Sequence, residues 1–133
     1  MLKKIIGETP IIDTLYESDF YTEFHKHSIE QRCKDSRRVL NKYPEKIPCL
    51  FFKGTKETPD SKNHKFLLPK EMTISEFMMV ARKYIKLDPS QAIFLFVDNV
   101  LPRSTETIGE TYNKHKSEDG YLKFTYSIES TFG

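Results

Sequence analysis

Ser/Thr-x-x-Glu/Gln boxes at Ser28 and Gln31, Thr73 and Glu76, and Thr107 and Glu110 punctuate this chain and constrain its fold more than any other feature. In such a box the hydroxyl accepts from a backbone N–H three residues on, while the longer side chain returns to the N–H of the cap, so a helix starts there. Behind the first box Ile29, Cys33, Ser36, Leu40 and Tyr43 share one face of a helix that Pro44 ends. Behind the second, Ile74, Phe77, Met78, Ala81 and Ile85 point inward. The third opens a short helix, and a shorter helix over Phe20 to His25 is expected ahead of the first.

Short apolar runs bounded by turn residues lie between the boxes and predict strands. They are Ile47 to Phe52, with Pro48 marking a start or an edge; Lys65 to Pro69; Ile93 to Val97, turning at Asp98-Asn99 into Val100-Leu101; and Tyr121 to Tyr126 after the Asp119-Gly120 turn. Following an N-terminal helical segment, this order is strand, strand, helix, strand, strand, helix, strand. It predicts an α+β sheet with a helix packed on one face. The chain divides into an irregular extension over 1–18, broken by Gly7, Pro10 and Asp13, a helical segment over 19–46, a core over 47–127 and a flexible tail over 128–133.

A chain of 133 residues suffices for one core. Its net charge of +2, with Lys and Arg nearly matched by Asp and Glu, does not describe a nucleic-acid binder. Cys33 and Cys49 have no CxxC spacing and apolar neighbours, so both are expected as buried thiols in a reducing compartment. The start lacks the apolar length of a signal peptide and no run could span a bilayer, which points to the cytoplasm. His25 and His27 fall on different helix faces while His64 and His115 stand apart, so no metal set is expected. HExxH, nucleophile-elbow, phosphate-loop and dinucleotide patterns are missing from the sequence; it is expected to be no enzyme and to hold no cofactor. Arg32, Lys34, Arg37, Arg38 and Lys42 concentrate charge on one helix, either as a solvated face or as an attractor of acidic partners and anionic headgroups.

The last residue, Gly133, adds a chemical possibility. A glycine carboxylate has no Cβ beside it, so it can enter a tight enzyme channel, be activated as an adenylate and a thioester, and be attacked by an amine.

Several segments, taken in order, carry a resemblance: Lys42-Tyr43-Pro44-x-x-Ile47-Pro48, Lys65-Phe66-Leu67-Leu68-Pro69, Phe94-Leu95-Phe96-Val97-Asp98-Asn99, Tyr112, Glu118-Asp119-Gly120-Tyr121-Leu122 and Tyr126-Ser127. Together they resemble the autophagy ubiquitin-like modifiers typified by GABARAP, over about His27 to Gly133. The resemblance implies a ubiquitin-like β-grasp whose Gly133 is joined to phosphatidylethanolamine, with Phe132 helping to position the tail. It implies activating and conjugating enzymes, a deconjugating cysteine protease and receptors with aromatic-x-x-aliphatic motifs as partners. The protein would be a monomer in the cytoplasm, and on the autophagosome membrane when lipidated. A sister modifier joined to a protein lysine and a nonconjugated adaptor are the alternatives.

The same resemblance implies a peptide groove along the edge strand. Its first pocket would comprise Val39, Pro48, Leu50, Lys65, Leu67 and Tyr121 and take an aromatic. The second, formed by Phe66, Leu68, Pro69, Met72, Phe77 and Val80, would take an aliphatic residue three positions later. Lys46 and Lys65 would favour flanking acids. Ile93 to Phe96 would be buried strand bordering a further docking surface. This chain departs from the family pattern in its longer N-terminal extension, in Tyr84 where Arg82-Lys83 is usually followed by a third basic residue, and in Gly120 where an aromatic is common. Gly120 is expected to loosen the final strand. With nothing beyond Gly133, no initial cleavage is expected.

Overall fold

A computed structural model describes residues 16–128 of the chain. Its elements are α1 (Asp19–His25), α2 (Ile29–Lys42), β1 (Lys46–Lys53), β2 (Lys65–Pro69), α3 (Ile74–Arg82), β3 (Ile93–Phe96), α4 (Ile108–His115) and β4 (Leu122–Ile128). The strands form one sheet in the order β2-β1-β4-β3, with β1 and β4 parallel in the middle and the two outer pairs antiparallel. Two central strands running in parallel with a helix crossing between them give the α+β β-grasp arrangement that the sequence predicts.

The helix starts follow the boxes, with one difference. Thr73 accepts from the Glu76 N–H at 3.1 Å and Glu76 Oε1 from the Thr73 N–H at 2.9 Å; Thr107 and Glu110 repeat both bonds at the same distances. At Ser28 only half the box forms. The hydroxyl accepts from the Gln31 N–H at 3.1 Å, but the Gln31 amide turns outward to donate to Asp35 Oδ1 at 3.0 Å. A fourth cap, Ser18 accepting from the Tyr21 N–H at 3.2 Å, starts α1 without a returning acid.

β1 decides the layering. Strand residues alternate between faces, and in β1 every position from Ile47 to Phe52 is buried, so both faces of the sheet must be covered. Ile47, Cys49 and Phe51 join Phe66 and Leu68 of β2, Leu122, Phe124 and Tyr126 of β4, and Ile74, Phe77 and Ala81 of α3 in the main core. Phe51 stacks on Tyr126 with centroids 4.1 Å apart. On the other face Leu50 and Phe52 meet Phe24 of α1 and Tyr121, with Phe20 and Tyr21 packed against them. The helical segment therefore forms a second covering layer, where the sequence alone predicts a helix on one face.

Two turns differ from expectation for identifiable reasons. Asp98 and Asn99 both adopt positive φ, at 52° and 63°, and close a tight turn in which Val97 and Val100 exchange backbone bonds of 2.9 and 3.0 Å. Val97 and Val100 form an isolated bridge, and the expected strand over Val100-Leu101 goes no further. Pro102 has no N–H to continue a ladder. Gly120, at φ +88°, does not loosen β4: a Cβ there would lie 2.4 Å from the Ser36 hydroxyl. Its absence lets α2 approach closely enough for that hydroxyl to donate to the Asp119 carbonyl at 2.6 Å.

Candidate functional site: a groove beside the edge strand

β2 lies at the edge of the sheet, and its residues alternate between the two layers. Register pairs Pro48 with Leu67 and Leu50 with Lys65, so these belong to the α2 side; Cys49 with Phe66 and Ile47 with Leu68 belong to the α3 side. Among the described residues no strand pairs with the outer edge of β2, which leaves backbone donors and acceptors for an added strand.

Between α2 and β2 opens a cavity of about 330 Å³. Five of the six residues expected for the first pocket line it: Val39, Pro48, Lys65, Leu67 and Tyr121. Leu50 does not, being fully buried beneath them. Sequence reasoning missed Asp35, Arg38, Tyr43 and Cys49, which complete the wall together with Phe66, a residue expected in the second pocket. The signal of the first three was present in helix spacing, because Arg38 and Val39 stand three and four residues after Asp35, and Tyr43 four after Val39, along one side of α2. Asp35 accepts from Gln31 and lies 3.3 Å from the Arg38 guanidinium, so the rim carries a preformed ion pair.

The residues expected for the second pocket separate by depth. Phe66, Leu68 and Phe77 are core, with Phe66 edge-on to Phe77 at 5.2 Å, whereas Pro69, Met72 and Val80 are only partly covered. Tyr84 enters this neighbourhood: its ring stands edge-on to Phe66 at 5.4 Å. The residue replacing the family's third basic position thus packs along the groove. Lys46 and Lys65 are exposed at opposite ends of the β1–β2 pair, and among the described residues neither forms an ion pair. Phe94 is partly covered and Phe96 packs with it and Leu101 in a small separate cluster.

A buried carboxylate holds the α2 wall in place. Asp119, in the turn before β4, receives the Arg32 Nε at 3.0 Å, the Ser117 hydroxyl at 2.7 Å and the Lys123 ammonium at 2.9 Å. Burial would raise its pKa, but the hydrogen bonds from Ser117, Lys123 and Arg32 outweigh it and hold the group down at about 2. Arg32 is consequently removed from the expected basic stripe, and Arg38, though exposed, pairs with Asp35, so Lys34, Arg37 and Lys42 are its exposed members without an ion pair among the described residues. Cys49 is buried, and burial pushes its thiol well above the ordinary range. Cys33 corrects its expectation: it is only half-buried, with Sγ 3.5 Å from the Glu118 carbonyl. The histidines are dispersed, His25 against the Tyr21 carbonyl, His64 stacked on Phe20 and His115 beside Asp98. No helix among the described residues is long and apolar enough to cross a membrane. Gly133 and Phe132 lie outside the described residues.

A β-grasp sheet with a helical layer on its second face and a groove beside its free edge defines the class as ubiquitin-like. Comparison with known proteins narrows this. A family profile described as "Autophagy protein Atg8 ubiquitin like" matches residues 31–133. Autophagy-related protein 8d of Arabidopsis thaliana is 42% identical over 110 residues, covering 82% of this chain and 92% of the relative. Autophagy-related protein 8 of Mycosarcoma maydis is 42% identical over the same length, covering 82% and 93%. Among solved structures, Trypanosoma brucei ATG8 superposes with a TM-score of 0.73 at 30% identity, covering 89% of this chain and all of that one. Plasmodium falciparum Atg8, solved in complex with a Plasmodium falciparum Atg3 peptide, gives 0.71 at 29%, covering 77% and 92%. The chain belongs to the Atg8 family of autophagy ubiquitin-like proteins.

Proposed function

We propose that this chain is a lipid-linked modifier and recruiter that performs no catalysis of its own. Gly133 is the reacting residue: its carboxylate is activated by other enzymes, and amide formation with the phosphatidylethanolamine amine releases the thiolate of the conjugating enzyme. Phe132 positions the tail that follows β4 in that enzyme. The family membership supports this reading, and a conjugating-enzyme partner is supported by the peptide-bound structure of the Plasmodium relative. A deconjugating cysteine protease would reverse the bond. The protein is then cytoplasmic when free and on the autophagosome membrane when joined to lipid.

The observation that carries the recruiting role is the cavity of about 330 Å³ directly beside an unpaired edge strand. An extended peptide can add a strand to β2, place an aromatic among Val39, Pro48, Leu67 and Tyr121 above Leu50, and set an aliphatic residue over Pro69, Met72 and Val80, with Phe66, Leu68 and Phe77 as the floor. Lys46 and Lys65 attract flanking acids. Two anchors at about 2 kcal/mol each and a few backbone bonds at about 1 kcal/mol each offset an association cost of at least about 4 kcal/mol. Affinity for one site is therefore modest, and many copies on one membrane supply the rest by avidity.

Mass spectrometry of the C-terminal peptide from membrane and soluble fractions tests the conjugation. A phosphatidylethanolamine adduct on Gly133 is expected; an isopeptide to a protein lysine would assign the sister branch, and a free carboxylate in both fractions during starvation would leave a nonconjugated adaptor.

A further inference from the structure

α2 is a wall with an opening on each side. Asp35, Arg38 and Val39 border the cavity beside the edge strand. The other side of the helix borders two adjoining cavities, of about 370 and 220 Å³, which share Leu40 of α2, Tyr112 of α4 and Lys116, the C-cap of α4. Pro44 and Ile47 line the larger of them, Cys33 and Arg37 the smaller. From Cys33 to Leu40 alone the helix rises about 10 Å, so the two cavities form a groove long enough for three or more extended residues.

The floor of this groove is fixed by bonds of the fold itself. Tyr112 donates its hydroxyl to the Gly120 carbonyl at 2.8 Å. The Gly109 N–H donates to the Lys70 carbonyl at 2.9 Å, and a Cβ at Gly109 would lie 3.2 Å from that oxygen, so the turn that carries Lys70 is held tightly against α4. The rim is basic. Arg37, Lys70 and Lys116 line the groove, are exposed, and form no ion pair among the described residues, while the Lys116 ammonium stands over the Tyr112 ring at 5.7 Å. Of the acids that line it, Asp119 is buried and held by Arg32 and Lys123, and Glu118 is exposed. Three unpaired cations against one exposed carboxylate make the mouth positive in a chain whose net charge is only +2.

A concave apolar floor inside a positive rim selects its occupant. A bilayer is broad and flat and meets the rim charges alone, whereas a peptide side chain can reach Leu40, Pro44 and Tyr112 while neighbouring carboxylates meet the cations. We propose that the α2–α4 groove is a second docking surface, and that its partner is an extended acidic segment of another protein. Aliphatic side chains of that segment enter over Leu40, Pro44 and Tyr112, and its carboxylates pair with Arg37, Lys70 and Lys116. Because it lies across α2 from the edge-strand cavity, this surface stays open when that cavity is filled, and it stands independently of the peptide reading given above.

Selection from a library of random twelve-residue peptides tests this, with the full chain carrying Val39→Asp and Leu67→Ala as the bait so that the edge-strand cavity is disabled. Enriched peptides should combine Asp or Glu with Leu, Ile or Val. At ten times its dissociation constant such a peptide should slow iodoacetamide alkylation of Cys33 in the unaltered chain about tenfold, in proportion to the groove left empty, with the buried Cys49 as an unreactive reference. Lys116→Glu, at an exposed position, should weaken binding about five- to tenfold and reduce its sensitivity to salt, and Leu40→Asp should abolish it. The alkylation measurement needs no variant, so it stands even if Leu40→Asp disturbs folding. A selection without acidic peptides, or acidic peptides that leave Cys33 reactive and are indifferent to Lys116→Glu, would overturn the inference. Protection of Cys33 by phosphatidylserine vesicles but by no peptide would overturn it in favour of a membrane surface. Protection that grows with protein concentration in the absence of peptide would overturn it in favour of a second copy of the chain.

Discussion

The two faces of β1 are about equally apolar in sequence and are put to different uses. Toward α3, Ile47, Cys49 and Phe51 belong to a core of sixteen buried residues; toward α1 and α2, Leu50 and Phe52 belong to a cluster of four. The cluster of four is too small to fill the space under α2, and the unfilled remainder is the cavity between Val39, Pro48 and Leu67. One side of a strand can therefore fill a core while the other, with the same residue types, borders an open cavity. What separates them is the covering layer: α3 presents an apolar face, whereas α2 presents Asp35, Arg38 and Val39.

The contrast is broken most directly on the closed side. Phe77→Ala, at a fully buried position between Phe51, Phe66 and Phe124, should cost about 4 kcal/mol in chemical denaturation, and a loss below about 1 kcal/mol would mean that the α3 layer is not the main core. Next in size is the knot that carries the α2 wall. Asp119 has a pKa lowered from 3.8 to about 2, so its stabilising effect is complete above pH 4 and disappears as pH falls from about 4 toward 2. Asp119→Asn should lower stability at pH 7 by about 2 kcal/mol and flatten that acid limb; an unchanged acid limb in a pH series of denaturation curves would remove Asp119 from the account.

Smaller effects compare the helix starts. Thr73→Ala removes a complete box and should cost about 1 kcal/mol, while Ser28→Ala, which loses a single bond at an exposed site, should cost about half as much. Equal losses in thermal melts would mean that the reciprocal bond from Glu76 adds nothing. Smallest in stability and sharpest in function is Val39→Asp combined with Leu67→Ala. Binding of an acidic-flanked aromatic-x-x-aliphatic peptide should disappear by calorimetry, with folding stability changed by less than about 1 kcal/mol, because both residues border open space. Retained affinity would dissociate the cavity from peptide binding.

Much of this was legible in the residues. The boxes at Thr73 and Thr107 and the apolar runs place α3, α4, β1, β2 and β3 nearly to the residue, because capping chemistry and strand burial are local. Long-range partners were not legible. Nothing in the sequence near Arg32 indicates that it is held by Asp119, 87 positions away, and so lost to the basic stripe. Gly120 reads as a weak point until Ser36 is seen against it. The first pocket was located through the resemblance, and its polar rim was missed because charged residues on an amphipathic helix read as ordinary solvated surface. Leu50 was assigned to the pocket through the resemblance; it shares the α2-facing side of β1 with Pro48 but lies fully buried, because face alternation gives direction and not depth.

The position of β4 has a mechanical consequence. It lies in the middle of the sheet, bonded to β1 on one side and β3 on the other, and it runs parallel to β1 from Leu122 to Tyr126. β4 ends at Ile128, and a membrane tether would pull from beyond it. A pull along that direction loads both ladders in shear, so their bonds resist together instead of opening one after another as a peeled edge strand would. The groove strand β2 sits at the other margin of the sheet, with β1 between it and β4. Cargo held at β2 would carry the same load across the β2–β1 and β1–β4 ladders in turn, so the proposed peptide-binding edge would share the strain of a membrane tether.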